Sequence, residues 1–319
     1  MKLELIPLGV SSAVPTGRRH LSSTAMRREG RLILFDCGEG TQFRLLDANL
    51  KRTRVDVIFL THLHGDHFYG LFGLLSSMEL QGRKEPVTLV GPEGFRDPVH
   101  RLRTLSGDHR GLEVEYVEVA EDFSGRIYES EEWYVEAEPI EHRVPALGYR
   151  YAEKDRAGRI DGERAKELGI EESAQFEALK RGEAITLSGD RRVEPEEVVG
   201  PVRPGMRFAY VFDTRPCEAG VRLARDADLL YHEATFTHDL LERAEATGHS
   251  TAREAAEVAR KADADRLLLG HFSARYSDTS ELVAEAREVF PETEAAMELR
   301  RYELPAYHES KPEIVSDSQ

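Results

Sequence analysis

At 319 residues, 40% hydrophobic and 32% charged, the chain is long enough to bury a substantial core and too apolar for the disordered class. Its 59 acidic and 43 basic residues give a formal charge of −16. That balance excludes a uniformly basic surface and confines any polyanion contact to local basic patches. The two cysteines, Cys37 and Cys217, lack the paired spacing of a structural zinc site and read as small packing residues.

The opening MKLELIPLGVSSAVP alternates Leu3 and Leu5 with Lys2 and Glu4, without the continuous apolar run of a signal peptide. No later segment approaches the roughly 18 uninterrupted apolar residues of a membrane span, so the expectation is a cytoplasmic protein with no membrane partner. Lys2 to Leu8, Arg31 to Phe35, Val55 to Leu60 and Val87 to Val90 read as strands, and Thr41 to Ala48 and Tyr69 to Leu80 have helical spacing. Further strands end at Val211 and Phe212 and span Leu229 to His232 and Leu267 to Gly270. Helices are expected at Cys217 to Arg225, Thr251 to Lys261 and Ser280 to Val289. Such alternation specifies an α/β protein with covered sheets. Residues 152–205 interrupt it with thirteen acidic and ten basic side chains, and are expected to project as an insertion from a single domain over residues 1–307. Residues 308–319 read as a flexible tail.

The sharpest chemical signal is THLHGDH, starting at Thr61. It places His62, His64, Asp66 and His67 between an apolar strand and an apolar helix, on a turn that can splay ligands toward two ions about 3.5–4 Å apart. Imidazole with carboxylate suits zinc, with manganese or iron as lesser fits. Two ions require more donors, and His142, Asp213 and His271 each follow an apolar strand run. His20, His100, His109, His238 and His308 stand alone and read as surface or structural residues.

HxHxDH followed by a distant His, an Asp and a final His resembles the ligand order of the metallo-β-lactamase superfamily. The resemblance implies a four-layer αββα sandwich with two zinc ions per chain, Mn2+ or Fe2+ being possible substitutes. His62, His64 and His142 would hold one metal, Asp66, His67 and His271 the other, and Asp213 would bridge. Within the superfamily, FDCGEGTQ from Phe35, DTRPCEA from Asp213, HEATF from His232 and GHSTAREAA from Gly248 resemble the ribonuclease Z family over nearly the whole chain. That implies a homodimeric endonuclease acting on the 3′ end of precursor tRNA. Its catalytic residues would be Asp66, which steers the nucleophile's proton, and His249, held protonated by Glu233 as the general acid. Asp36 is a candidate for orienting a ligand imidazole. Ser250 and Thr251, at the start of a helix, are candidates for holding the scissile phosphate.

The insertion is similar to the family's tRNA-gripping arm at its flanks. At its centre Ser173 and Ala174 replace the usual Gly-Pro pair, leaving Lys180, Arg181, Arg191 and Arg192 as candidate contacts. Phe212 stands where the family usually has Gly, next to Asp213, which leaves open a narrowed pocket or an altered substrate choice with every ligand retained, and Phe72 stands where it usually has Pro. The alternative activity is a related phosphodiesterase acting on small diesters or another RNA, which the negative charge favours. An inactive RNA-binding scaffold would have lost ligands, and none is missing.

Overall fold

A computed structural model describes residues 2–106 and 111–305. The first half supplies β1 (Lys2–Gly9), β2 (Ser23–Arg28), β3 (Arg31–Phe35), β4 (Val55–Phe59), β5 (Val87–Pro92) and β6 (Val114–Val119). The next strands are β7 (Gly125–Glu129), β8 (Trp133–Ile140) and β9 (Ala146–Glu153). They are followed by a two-stranded hairpin, β10 (Ile185–Thr186) and β11 (Arg192–Val193), inside the insertion. The chain continues with β12 (Arg207–Val211), β13 (Leu229–Glu233), β14 (Leu267–Gly270) and β15 (Thr293–Ala295), and ends on β16 (Tyr302–Pro305).

Two seven-stranded mixed sheets result, in the orders β16-β1-β2-β3-β4-β5-β6 and β15-β14-β13-β12-β9-β8-β7. The parallel strands β12, β13 and β14 read FAYV, LLYHE and LLLG, the near-continuous apolar runs of strands covered on both faces. Period-two alternation turns one aromatic set from each sheet inward. Phe35 and Phe59 of the first sheet meet Tyr149, Phe208 and Tyr210 of the second with ring centroids 5.3–6.3 Å apart. Each fully buried ring stabilises the sandwich by roughly 1.5–3 kcal/mol.

Helices cover the outer faces. Gly70–Leu80 buries Leu71, Leu74, Leu75 and Met78 against Leu34 and Ile58 of the first sheet. Glu218–Ala224, Ala252–Lys261 and Ser280–Arg287 pack on the second. This is the expected αββα sandwich. Outside the insertion, strands β2, β6, β7, β9, β15 and β16 and the helices Arg96–Ser106 and Leu241–Thr247 are additions to the elements read from sequence.

Residues 153–206 form a compact unit of their own. Within it Ala165, Leu168, Ile170, Leu179, Ile185, Val193 and Val198 form a small buried cluster. The acidic centre is helical: Ser173–Lys180 follows Glu172, whose N–H donates to Gln175 Oε1 at 3.3 Å. Of the four candidate tRNA contacts, Arg181, Arg191 and Arg192 pair with Glu183, Glu197 and Glu194.

Candidate metal centre

The site lies where strands end. His62 and His64 follow β4, His142 follows β8, Asp213 follows β12, and His271 follows β14, the carboxyl edge at which open α/β sheets place their ligands. Asp66 and His67 are carried by a single helical turn, Gly65–Phe68, rather than by an irregular loop. Asp36, Asp213 and His271 adopt left-handed backbone at φ 60°, 51° and 57°. Such conformations persist in non-glycine residues only where the surroundings fix them, and they collect at functional sites. Gly38 is required by proximity, since a Cβ there would lie 2.2 Å from the Asp66 carbonyl oxygen.

All seven expected ligands converge, in two groups. His62, His64, His142 and Asp213 form one and Asp66, His67, Asp213 and His271 the other, with donor atoms in each group within 4.8 Å of one another. Asp213 belongs to both. Its Oδ2 lies 3.5 Å from His62 Nε2 and 3.9 Å from His142 Nε2. Its Oδ1 lies 3.2 Å from His67 Nε2 and 3.0 Å from His271 Nε2. Tetrahedral zinc with bonds of about 2.1 Å separates neighbouring donors by about 3.4 Å, so the observed spacings fit. Asp213 Oδ1 is moreover buried and makes no well-aligned hydrogen bond to either imidazole, an environment that a cation between these donors would satisfy.

Electrostatics separate the two groups. Burial, reinforced by the neighbouring His67, pushes the His62 pKa well below its ordinary value, and burial likewise lowers His64 and His142. Neutral imidazole is the form that binds a metal. In the second group burial is opposed and outweighed by Asp213, which raises His67 and brings His271 to about 9. Burial also works against the charged Asp213, but His271 and His67 hold it well below the carboxylate range.

Outer partners fix the imidazoles. Asp36 Oδ2 faces His67 Nδ1 at 2.8 Å, and the same carboxylate accepts from Thr61 N, Thr61 Oγ1 and Tyr210 OH. The Gly248 carbonyl takes His142 Nδ1 at 2.9 Å, and a Cβ at Gly248 would crowd that nitrogen at 3.0 Å. Thr61 and Thr235 are residues that sequence reasoning missed. Thr61 Oγ1 touches His62 Nδ1 at 3.0 Å, and Thr235 Oγ1 links Glu233 Oε2 at 2.6 Å to His271 Nδ1 at 3.0 Å. Their only sequence signal is membership of THLHGDH and of HEATF.

Beside this cage, His249 Nδ1 lies 3.0 Å from Glu233 Oε1, which also accepts from Thr214 N at 2.7 Å. Burial disfavours a charged His249, but Glu233 more than compensates and its pKa is raised. Arg215, also missed, donates to the His249 carbonyl at 2.5 Å and to Glu254 at 2.9 Å, holding the loop that presents His249.

Two expectations are corrected. Ser250 and Thr251 are buried and their groups are engaged: Ser250 Oγ donates to Thr214 O, and Thr251 Oγ1 caps Glu254 N while Glu254 Oε2 accepts Thr251 N. Ala252 N and Arg253 N donate to Phe236 O and Glu285 Oε1, so this helix end presents satisfied donors rather than a phosphate cradle. Phe212 is 1% exposed, stacked on Tyr210 at 4.1 Å and edge-on to Tyr231 at 4.7 Å, with its ring 5.9 Å from that of His271, so it packs against a candidate ligand from within the core rather than lining an open pocket. Among the solitary histidines, His20 pairs with Glu298 and His238 with Thr251, while His100 is exposed. His109 and His308 lie outside the described residues.

Comparison with known proteins agrees with this geometry. The Beta-lactamase superfamily domain matches residues 133–272, and the family of the Anti-Pycsar protein Apyc1 matches residues 3–144. The Ribonuclease Z of Salinibacter ruber is 53% identical over 317 residues, 99% of this chain and 98% of that protein. The Ribonuclease Z of Gloeothece citriformis is 44% identical over 96% of this chain and 97% of its own length. The crystal structure of human tRNase Z, short form, superposes with a TM-score of 0.69 at 29% identity, covering 95% of this chain and 99% of that one. Near-complete coverage at such identity, on a sandwich whose strand ends gather seven metal donors, places the chain in the ribonuclease Z family of the metallo-β-lactamase superfamily.

Proposed function

We propose that this chain is a zinc-dependent endoribonuclease that hydrolyses the phosphodiester at the 3′ end of precursor tRNA, leaving a tRNA 3′-hydroxyl and a trailer with a 5′-phosphate. The observation that carries the reading is Asp213, one carboxylate oxygen facing each donor group, with the Glu233–His249 pair alongside. Two zinc ions, replaceable by Mn2+ or Fe2+, would be held by His62, His64 and His142 on one side and Asp66, His67 and His271 on the other. When bound they make water acidic enough to supply hydroxide at neutral pH and neutralise phosphate oxygens.

The protein groups divide the proton work. Asp66 takes the role of steering the attacking water's proton. His249 carries its proton on Nε2 while Nδ1–H donates to Glu233, and protonates the departing 3′ oxygen as the P–O bond breaks. Asp36 and Thr61 orient His67 and His62, which keeps the donors aimed without rearrangement.

The arm at residues 152–205 is assigned to tRNA docking, with Lys180 its one basic candidate lacking an acidic partner among the described residues. A homodimer is supported by exposed apolar Phe43, Leu46 and Leu80 on two helices that pack together. The absence of any long apolar helix among the described residues fits a cytoplasmic enzyme. The charge of −16 favours the second reading, a phosphodiesterase for small diesters or another RNA. Incubating zinc-loaded protein with 3′-extended precursor tRNA and with bis(p-nitrophenyl) phosphate decides between them. Cleavage after the discriminator nucleotide is expected, whereas turnover of the small diester alone would replace the tRNA assignment.

A further inference from the structure

Residues 10–20 make up most of the connection from β1 to β2 beside the metal cage, and no side chain in them belongs to either donor group. Their backbone nevertheless touches one member of the second donor group and the chain neighbour of another. Ala13 N–H donates to Asp66 Oδ2 at 2.8 Å. The segment also brackets Phe272, the residue after His271: Phe272 N donates to Val10 O at 2.8 Å, and Ser12 N donates to Phe272 O at 3.0 Å. Ala13 makes its contact at φ 59°, a conformation that alanine holds only where its neighbours dictate it.

The base of this loop is held by a carboxylate from the far end of the sequence. Glu298, between β15 and β16, has a side chain only 11% exposed. Its Oε1 accepts from Val10 N at 3.4 Å and from His20 N at 2.6 Å, the two ends of the loop. Its Oε2 lies 2.8 Å from His20 Nδ1 and 3.0 Å from Arg44 Nη2, while Arg44 Nε holds Leu8 O at 3.1 Å. The adjacent Leu299 N donates to Pro7 O at 2.8 Å, which fixes Glu298 to β1. One buried anion thus gathers two backbone donors and two side chains at the base of the loop, where charge-assisted bonds are the strong ones.

We infer that Glu298 is a positioning residue for the Asp66–His67–His271 half of the metal centre, acting through the 10–20 loop whose Ala13 N–H orients the Asp66 carboxylate. The inference rests on the two-metal reading. The His62–His64–His142 half has no corresponding contact with this loop among the described residues, so loosening the staple acts on one half alone.

The test uses the full chain and two variants, Glu298→Ala and Glu298→Gln, the second retaining an acceptor for both N–H groups. Stepwise Zn2+ uptake is measured against a competing chelator, with the Co2+ absorption spectrum as an independent readout. Loss of an outer partner weakens a metal site about ten- to a hundredfold. Glu298→Ala is therefore expected to weaken one of the two steps about tenfold and alter that site's Co2+ bands, the other step moving less than about twofold. Glu298→Gln should restore most of the affinity. Equal weakening of both steps, or unchanged constants with only a lower melting temperature, overturns the positioning role. A wild-type chain that takes up fewer than two zinc ions overturns the two-metal reading itself.

Discussion

Replacing Glu233 by Gln separates charge from shape at the acid pair. The amide oxygen can occupy the Oε1 position and keep the bonds from His249 Nδ1 and Thr214 N, at 3.0 and 2.7 Å. The amide N–H2 then faces Thr235 Oγ1, whose hydroxyl already has His271 O as an alternative acceptor at 3.0 Å. Geometry survives, and the negative charge does not. A hydrogen bond to a charged partner contributes about 1.5–3 kcal/mol against about 0.5–1.5 kcal/mol for a neutral pair, so stabilisation of the imidazolium falls by about 1–1.5 kcal/mol, roughly tenfold in population. The sign is fixed by the raised His249 pKa. A general acid at His249, as proposed, is active below that pKa and lost as pH rises through it, so removing the carboxylate moves the alkaline limb toward lower pH. Single-turnover cleavage of precursor tRNA from about pH 5.5 to about pH 9, with zinc content measured in parallel, should show about tenfold slower turnover near neutrality, recovering at acid pH. An alkaline limb that stays in place with zinc retained would refute the role of Glu233.

Asp36→Asn removes the charged acceptor behind His67 and should weaken one zinc step about ten- to a hundredfold, read by chelator competition; unchanged affinity would make Asp36 a turn residue only. Phe212→Ala empties a site stacked on Tyr210 and should cost about 3–5 kcal/mol in denaturant unfolding with zinc content intact; a loss below about 1 kcal/mol would contradict its core placement. Excising residues 154–205 and closing the gap with a short glycine linker should weaken precursor-tRNA binding while sparing bis(p-nitrophenyl) phosphate turnover. Equal loss of both activities would count against a docking arm.

The donor set was legible because few side chains bind zinc and their placement after apolar strand runs is itself a pattern. His142, Asp213 and His271 could be picked from distant segments on that basis. Thr61, Thr235 and Arg215 could not, since threonine and arginine occur everywhere and only their contacts distinguish them. The phosphate expectation for Ser250 and Thr251 failed for a related reason. A helix start attracts anions only if its donors are free, and here Glu254, Glu285 and the Phe236 carbonyl take them. Phe212 shows the limit of position-by-position comparison: proximity to Asp213 in sequence placed it at the site, and its buried ring packs against Tyr210, Tyr231 and the candidate ligand His271 together. The small cluster around Leu168 and Leu179 was hidden because its members are spread thinly among charges.

The excursion at residues 153–206 begins and ends at adjoining points, Glu153 N donating to Met206 O at 2.9 Å and Ala152 lying opposite Arg207 in the ladder. A segment joined at so narrow a neck can lengthen, shrink or change its charge without altering the register of β9 and β12. The insertion and the strand-end donor set can therefore change on separate evolutionary clocks, and an acidic insertion is compatible with a fully retained set of candidate metal donors.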